Sequence, residues 1–410
     1  MPIFTYRAHP VQIRSVAQAL LAIFVENKFA DKVIEQALRQ NPKAGSRDRA
    51  FVAETTYDIV RNYRLYAAIL DRTPNTELDF WEMIGVHLAL TGADVNIGKG
   101  AQIDEFRKLN PEMLSERAAT FRDERKFRES IPDWLDALGE QELGPLWDET
   151  LPWLNRPADV VLRTNRLKSD RLSLQKILAE EGIETKPAGE ADALVLLRRQ
   201  NVFQTQAFKK GLFEVQDYSS QLVAPFLDVH PGMRIVDACA GGGGKTLHLA
   251  ALLEGKGAVI ALDTLAWKLD ALRQRARRAG ASNIETRVIE NSKVIKRLYG
   301  TADRVLLDVP CSGLGVLRRN PDSKWKLSLD FIQNLRVTQS EILQSYSRIL
   351  KPGGRLVYAT CSILPSENER QVEAFLASEA GSSFSFVADR KILPQDDGFD
   401  GFYMASLLKN

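Results

Sequence analysis

The spacing of apolar residues changes character twice along the chain. Over residues 10–69, apolar side chains recur at the three- and four-residue intervals of amphipathic helices, and weaker helical stretches continue through 81–90 and 105–143. From Pro157 the pattern is that of short strands around one helix, and beyond Glu214 strands and helices alternate, which is typical of βαβ crossovers. We therefore predict an α/β protein with an all-helical domain over 1–150, a small α+β module over 151–213 and a parallel-sheet domain over 214–410.

Two predicted strands of the last domain end close to a cysteine. Residues 305–307 are apolar in succession, as in a strand buried on both faces, and Asp308 and Cys311 follow them. The apolar strand 354–360 leads directly to Cys361. Because the carboxyl ends of parallel strands form the ligand-binding edge of such a sheet, we expect these two thiols and this carboxylate to form one site.

A glycine-rich loop follows the first strand of the same domain. The strand covers 234–238, a helix is predicted over 247–253, and a second strand over 258–262 ends at Asp263. Glycines leave backbone N–H groups open to close approach at the positive end of the following helix. The loop residues are Cys239, Ala240, Gly241, Gly242, Gly243, Gly244 and Lys245.

The identity of the ligand is narrowed by elimination. A phosphate-binding P-loop would have glycine where Cys239 stands, and the dinucleotide fingerprint would have its third glycine at Thr246 or Leu247. Asp263, about twenty residues on, is placed to accept the two hydroxyls of a ribose. A nucleoside without a tight pyrophosphate cradle remains, and S-adenosylmethionine is the commonest such ligand. A flexible linker is the alternative, which Asp263 disfavours.

A methyl donor beside two thiols suggests methylation of an aromatic carbon such as C5 of a pyrimidine. That carbon attacks only after a nucleophile has added to C6, and a cysteine thiolate suits this step. Asp308 would face the polar edge of the base and help to carry charge there. With two thiols, one can add to C6 of the base and the other can assist release of the methylated product.

Composition bounds the other possibilities. Of the 410 residues, 55 are Lys or Arg and 53 are Asp or Glu, so a basic surface must be local. No apolar stretch approaches the about 18 residues of a membrane span, and we expect a soluble, cytoplasmic monomer. The three cysteines are far apart and lack a C-x-x-C motif, so we expect neither disulfides nor a metal.

Two local basic clusters are candidates for RNA contacts, with an ordinary solvated surface as the alternative for each. The first is carried by the helical domain, and the second follows the predicted strand 160–164 of the small module. Their members are Arg47, Arg49, Arg61 and Arg64 in the first cluster, and Arg163, Arg166, Lys168 and Arg171 in the second.

The cysteine-bearing motifs carry a resemblance to a known family. The segment 308–313 resembles a D-x-P-C-S-G motif and 359–362 resembles an A-T-C-S motif of the bacterial 16S ribosomal RNA cytosine-C5 methyltransferases of the RsmB type, within the family that includes the NSUN proteins. The resemblance implies that Cys361 is the nucleophile and that Cys311 assists product release. The resemblance also implies that the chain is an S-adenosylmethionine-dependent enzyme that forms 5-methylcytosine in RNA.

The cofactor loop is similar to that of the same family. Residues 237–246 resemble its D-A-C-A-A-P-G-G-K-T loop, with Gly242 in place of the proline. Asp263 matches the acidic ribose position, and Asn291 stands where the family has Asp next to the adenine. The resemblance thus implies that residues 239–245, Asp263, Asn291 and Asp308 bind S-adenosylmethionine.

The resemblance extends over the remaining domains. Residues 47–51 are similar to a NusB-like domain, 162–168 to the family's L-R-x-N-x-L-K strand in a module like an RNA-recognition domain, and 216–221 to the entry of its Rossmann-like domain. The loop 315–322 with Lys324-Trp325-Lys326 resembles the family's substrate-facing loop. We expect 16S ribosomal RNA as the partner. A tRNA or another ribosomal site, or a catalytically weak assembly factor that binds RNA, remains an alternative.

Overall fold

The chain forms two compact units. The computed structural model describes residues 9–93, 97–98, 101, 103–189 and 192–410. One unit comprises the described residues up to Asn155 together with Arg319–Leu327, and the other comprises Arg156–Arg318 and Ser328–Asn410. Across these described ranges, no helix is both long and apolar enough to cross a membrane.

The first unit is built from helices, as predicted. Its core includes the buried side chains of Ile13, Leu20, Phe80 and Ile84. Helix boundaries follow local capping: Thr76 caps the fourth helix by accepting the N–H of Asp79. Up to Asn155 the helices are α1 (Pro10–Phe24), α2 (Ala30–Gln40), α3 (Ser46–Leu70), α4 (Glu77–Thr91), α5 (Asp104–Arg107), α6 (Pro111–Thr120), α7 (Arg125–Arg128), α8 (Asp133–Leu143) and α9 (Pro145–Leu154).

The second unit begins with a small antiparallel sheet. Its strands lie in the order β2-β3-β1-β4, and Leu162, Leu174 and Phe213 are fully buried in the core beneath it. The predicted pattern of short strands around one helix is confirmed, the predicted strand 160–164 corresponds to Val161–Thr164, and the sheet continues through Phe213–Val215. The elements are β1 (Val161–Thr164), α10 (Arg171–Glu180), β2 (Thr185–Ala188), β3 (Ala193–Leu196), α11 (Gln206–Lys209) and β4 (Phe213–Val215).

A seven-stranded sheet forms the rest of this unit, in the order β10-β11-β9-β8-β5-β6-β7. Its strands are β5 (Arg234–Asp237), β6 (Ala258–Asp263), β7 (Ile284–Val288), β8 (Ala302–Asp308), β9 (Leu350–Thr360), β10 (Phe384–Ile392) and β11 (Phe402–Lys409). The associated helices are α12 (Tyr218–Phe226), α13 (Gly244–Leu252), α14 (Ala266–Ala279), α15 (Ser292–Lys296), α17 (Leu329–Tyr346), α18 (Glu369–Leu376) and α19 (Pro394–Asp397), while α16 (Ser323–Lys326) belongs to the first unit.

The predicted parallel sheet is confirmed for β5 to β9, but the last two strands differ. Strand β11 pairs antiparallel with both β9 and β10. The chain between β10 and β11 is too short for a crossover helix of the length that a parallel connection requires, so these strands form a hairpin at the sheet edge.

The strand order reverses beside β5, which lies between β6 and β8. Asp237 of β5 is level with Leu306 of β8, and Asp308 of β8 is level with Ala359 of β9. The segments that follow β5, β8 and β9 therefore leave the sheet side by side, at the topological switch point where α/β sheets bind ligands.

The segment 319–327 completes the helical unit. Helix α3 is interrupted at Asn62, which has non-helical backbone angles. The carbonyls just before this kink accept hydrogen bonds from the segment. Trp325 Nε1 donates to Val60 O at 2.8 Å, and Lys324 Nζ donates to Arg61 O at 2.8 Å. Side chains remote in sequence thus supply hydrogen bonds to carbonyls beside the kink.

The same segment also contacts the start of α2 and the residues that precede that helix. Asp322 Oδ2 accepts the N–H of Ala30 at the start of α2 at 3.0 Å, and Lys326 Nζ donates to Lys28 O at 2.7 Å. Lys324 is only 3% exposed. The interpretation of these basic and aromatic residues as a substrate-facing loop is therefore wrong, because their polar groups are engaged within the helical unit.

Buried Lys324 makes a testable contribution to stability. Burial, with the positive charge of Arg61 adding to it, lowers the pKa of Lys324 well below its usual value. Between that lowered pKa and the ordinary value near 10.4, the unfolded chain binds the proton more tightly, so stability rises with pH by up to about 1.4 kcal/mol per unit. Wild type should therefore gain stability relative to Lys324→Met between pH 7 and pH 9.5, as measured by urea unfolding followed by circular dichroism.

The matched control for this experiment is Lys32→Met. The Lys32 side chain is 73% exposed on α2 of the same unit. The difference between wild type and this variant should not change with pH. Parallel stability curves for wild type and Lys324→Met would contradict the assignment of Lys324 as a buried group that titrates on unfolding.

Candidate active site

The two thiols at the strand ends lie side by side. Cys311 follows β8, Cys361 follows β9, and their sulfurs are 3.3 Å apart. Both side chains are partly exposed. A hydrogen bond from one thiol to the other, together with burial and the negative charges of Cys361 and Glu367, raises the pKa of Cys311 well above its usual value. The two thiols therefore share a hydrogen bond, and the surroundings of Cys311 favour its protonated form.

Close backbone packing behind the thiols requires glycine. The N–H of Gly315 donates to Cys361 O at 2.9 Å, and its own carbonyl accepts from Gly401 at 2.8 Å. A Cβ on Gly315 would approach Gly401 O to 2.2 Å and Cys361 O to 2.8 Å. Only a residue without a side chain fits this crossing of three segments.

An ion pair lies beside the thiols. Lys245 Nζ, on the first turn of α13, is 2.7 Å from Asp308 Oδ2 at the end of β8. Burial opposes the charge on Lys245, but the attraction of Asp308, and also of Cys361 and Asp237, raises the pKa of Lys245 above its usual value. The Lys245 ammonium also lies 4.9 Å from the ring centre of Phe402. This lysine, which the sequence assigned to the cofactor loop, extends toward the Asp308 carboxylate at the end of β8.

The glycine loop has the form expected of a ligand cradle. Gly241 and Gly243 have left-handed backbone angles, and a Cβ on Gly243 would approach the Leu272 side chain to 2.1 Å. At Gly241, by contrast, a Cβ would meet nothing within 4 Å. The loop thus packs against α14 on one side and leaves backbone open on the other.

Asp263 lies directly beside this open backbone. Its Oδ2 accepts the N–H of Gly241 at 2.9 Å, and its Oδ1 accepts the N–H of Leu265 at 2.8 Å. Each carboxylate oxygen keeps a second lone pair for a ligand hydroxyl. Together, the open glycine backbone and this carboxylate fit a nucleoside ligand.

The remaining predicted cofactor residues flank this cradle. Cys239 and Ala240 connect β5 to the glycines, and Ala240 N donates to Leu262 O at 2.9 Å. Asn291 follows β7, is exposed, and accepts the N–H of Lys293 at 3.0 Å as the cap of α15. Beneath the loop, burial raises the pKa of Asp237 to about 7, although Thr246 donates to it at 2.7 Å.

Two arginines that the sequence did not assign to the cofactor site hold the loop carbonyls. Arg275 of α14 donates to Gly242 O at 2.5 Å and forms an ion pair with Glu214. Arg163 of β1 donates to Gly244 O at 2.6 Å and to Gln216. No local sequence signal identifies either role, because each partner lies far away in the chain.

Arg163 therefore does not contact an RNA backbone, contrary to expectation. It is 3% exposed, and burial lowers its pKa to about 10. Arg166 and Lys168 of the same basic run are exposed, and Arg166 forms an ion pair with Asp192 at 2.6 Å. In the helical unit Arg61 is also buried, which removes it from the candidate RNA contacts.

The sequence interpretation also missed Glu367 and Asn368, which lie beneath Cys361. Asn368 accepts from Thr360 Oγ1 at 2.5 Å and donates to Ser362 O at 3.0 Å, so it braces both neighbours of Cys361. Glu367 is fully buried and bonds to the serine that follows each cysteine. The serine that follows each cysteine was the sequence signal that both loops share a hydrogen-bond partner. Within the described ranges, no cluster of three His, Cys, Asp or Glu side chains has the form of a metal site.

Comparison with known proteins identifies relatives of the whole chain. A family model described as 16S rRNA methyltransferase RsmB/F matches residues 224–408. A second model, described as the ferredoxin-like domain of RsmF/B-like methyltransferases, matches residues 131–203. The two matches cover the seven-stranded sheet and much of the small module.

Individual proteins extend the similarity to the helical unit. The chain is 31% identical to the probable ribosomal RNA small subunit methyltransferase B of Synechocystis sp., over 93% of this chain and 96% of that protein. It is 38% identical to the ribosomal RNA small subunit methyltransferase B of Pasteurella multocida, over 68% of this chain and 65% of that protein. The crystal structure of PH0851 superposes with a TM-score of 0.82 at 26% identity, covering 99% of this chain and 100% of that one. The chain therefore belongs to the RsmB/F family of 16S rRNA methyltransferases.

Proposed function

We propose that the protein transfers a methyl group from S-adenosylmethionine to C5 of a cytosine in ribosomal RNA. The observation that carries the proposal is the pair of sulfurs 3.3 Å apart beside the Lys245–Asp308 ion pair. Family membership and the relatives named for the small ribosomal subunit favour 16S RNA over a tRNA. Such a substrate would place the enzyme in the cytoplasm.

The glycine cradle is the proposed cofactor site. Backbone groups of residues 239–245 would contact the cofactor, and Asp263 would accept the ribose hydroxyls. Asn291, at the exposed end of β7, would lie toward the adenine. Bound there, S-adenosylmethionine supplies an electrophilic methyl group.

Cys361 is the proposed nucleophile. Its thiolate adds to C6 of the cytosine, which breaks the C5–C6 double bond and makes C5 nucleophilic enough to take the methyl group. Lys245 lies close enough to Cys361 for a negative charge on that sulfur to raise the pKa of the lysine. Lys245 thus places a positive charge beside the sulfur to which we assign the attack.

Asp308 and Lys245 would act on the polar edge of the base. The Asp308 carboxylate can accept a hydrogen bond from the cytosine amine, and Lys245 opposes the negative charge that spreads into the ring when the sulfur adds. Their 2.7 Å ion pair holds both groups in place before the substrate arrives. Preorganised charges of this kind cost no rearrangement during the reaction.

Cys311 is the proposed release residue. After methyl transfer the proton on C5 must leave, and its bonding electrons restore the C5–C6 double bond as Cys361 Sγ departs from C6. Cys311 is held as a thiol at neutral pH because its pKa is raised. It lies in contact with the sulfur that must leave. As Cys361 Sγ leaves C6, the Cys311 thiol would give its proton to that sulfur, and the Cys311 thiolate so formed would accept the proton from C5.

The first prediction concerns the cofactor. Asp263→Ala removes the ribose acceptor and the partner of the Gly241 N–H, and should weaken S-adenosylmethionine binding by about 1–3 kcal/mol in calorimetry. Asp270→Ala, an equivalent change on the exposed face of α14, is the control and should leave binding unaltered. Tighter binding of NAD or ATP than of S-adenosylmethionine would contradict the proposal.

The second prediction distinguishes the effect of the exposed residues Arg166 and Lys168 on RNA binding from the effect of buried Arg163 on cofactor binding. If Arg166 and Lys168 contact phosphates, changing each to Ala should reduce the slope of log affinity for RNA against log salt by about one. Arg163→Ala should instead leave that slope unchanged and weaken cofactor binding, because it releases the Gly244 carbonyl. An unaltered slope in the Arg166 and Lys168 double variant would return both residues to an ordinary solvated surface.

The third prediction distinguishes attack from release. Cys361→Ala has no sulfur to add at C6, so it should bind RNA and cofactor yet form neither product nor adduct. Cys311→Ala keeps the attacking thiol but slows breakdown, so it should accumulate as a covalent RNA adduct that survives denaturing electrophoresis. An adduct with Cys361→Ala and none with Cys311→Ala would mean that the two roles are reversed.

A further inference from the structure

A single buried carboxylate joins the two cysteine loops. Glu367 lies on the 3-10 turn Pro365–Glu367 and is completely buried. Its Oε2 accepts from Ser312 Oγ and Ser362 Oγ, each at 2.5 Å. Its Oε1 accepts the N–H of Ser312 at 2.8 Å and Gln339 Nε2 at 2.9 Å. Four donors fill the four lone-pair positions of a carboxylate.

The two loops use Glu367 in the same way. Ser312 follows Cys311 and Ser362 follows Cys361, and each hydroxyl donates to Glu367. Each hydroxyl also accepts the N–H two residues further on, from Leu314 at 3.4 Å and from Leu364 at 3.1 Å. The carboxylate thus fixes the backbone directly after each of the two cysteines.

A third element locks the arrangement. Gln339 of α17 shares its amide between Glu367 and the carbonyl of Pro310, at 2.9 Å each. Pro310 immediately precedes Cys311. The backbone before Cys311 is therefore bonded to Gln339, the backbone after it belongs to Ser312, and both of these residues donate hydrogen bonds to Glu367.

We propose that Glu367 is a positioning residue that sets the separation of the two sulfurs and, through its buried charge, keeps Cys311 as the thiol of the pair. The proposal rests on the methyltransfer function proposed above, because it explains why two chemically equal cysteines take different roles. Glu367 reaches no substrate or cofactor atom itself. It acts through Ser312 and Ser362.

The charges around the pair support this division. Cys311 faces Cys361 at the end of β9, Tyr358 within β9, and Glu367. All of these groups are neutral or negative, and the charge of Glu367 contributes to the raised pKa of Cys311. Cys361 faces Cys311 and the Lys245 ammonium. The anion beside Cys311 favours the thiol form of that residue, whereas the charged group beside Cys361 is a cation.

The test uses Glu367→Gln, which keeps the shape of the side chain but removes its charge and replaces one acceptor oxygen with an N–H donor. In a Cys361→Ala background, the pH dependence of Cys311 alkylation is followed by mass spectrometry of the Cys311 peptide. We expect the midpoint to fall by about one pH unit when Glu367→Gln is added. In the otherwise wild-type chain, Glu367→Gln should lower kcat on the order of 10- to 100-fold, with KM for RNA and cofactor unchanged.

The matched control is Glu369→Gln, two residues away. Glu369 forms an ion pair with Lys391 and contacts neither cysteine loop through a hydrogen bond. This variant should leave both the alkylation midpoint and kcat unchanged. Ser362→Ala provides a second variant in case Glu367→Gln does not fold: it removes one bond to the Cys361 loop, keeps the buried charge, and should lower kcat.

Two results would overturn the inference. One is an unchanged Cys311 midpoint in Glu367→Gln, and the other is an unchanged kcat in Ser362→Ala. The alkylation measurement needs neither RNA nor cofactor. If the wild-type chain methylates no RNA, the proposed function fails, whereas the alkylation result still decides whether Glu367 controls Cys311.

Discussion

The active site depends on the register between two neighbouring parallel strands. Because Asp308 of β8 is level with Ala359 of β9, the chain beyond each strand reaches its cysteine at nearly the same height above the sheet. Parallel strands end on a common edge, so sequence segments about 50 residues apart deliver their sulfurs to one point. A slip of one residue in this pairing would turn alternate side chains to the other face and separate the thiols.

Burying a charged group at the carboxyl edge of the sheet is unfavourable unless that group has polar or charged partners, and each buried charge of the site has them. Lys245 is matched to Asp308, and Glu367 accepts four hydrogen bonds. Removing Lys245 or Asp308 would leave the other charge without its partner, and removing a donor to Glu367 would weaken the solvation of a buried carboxylate. The geometry around the sulfurs is therefore fixed by the same bonds that make the buried carboxylate tolerable.

Sequence patterns anticipated most of the fold and the strand-end residues, since both depend on local periodicity. The thiols, Asp308 and the glycine loop were found because each follows an apolar strand. Glu367 and Arg163 were missed or misassigned because their roles depend on burial and on distant partners. A run of basic residues does not reveal that Arg163 points inward while Lys168 remains exposed, and the basic segment near Lys324 likewise gives no sign that it completes a helical unit.

The cofactor loop shows how a long-range contact can offset a local departure. A proline fixes φ and so restricts the conformations of the unfolded chain, whereas Gly242 at the same position restricts neither. The loss of this restriction lowers the free energy of unfolding by about 0.4–1 kcal/mol. Arg275 donates to the Gly242 carbonyl at 2.5 Å while Glu214 holds its guanidinium. A hydrogen bond from a charged donor contributes about 1.5–3 kcal/mol, which exceeds the loss of rigidity. The glycine is thus compatible with an ordered loop because α14 and β4 restrain it from outside.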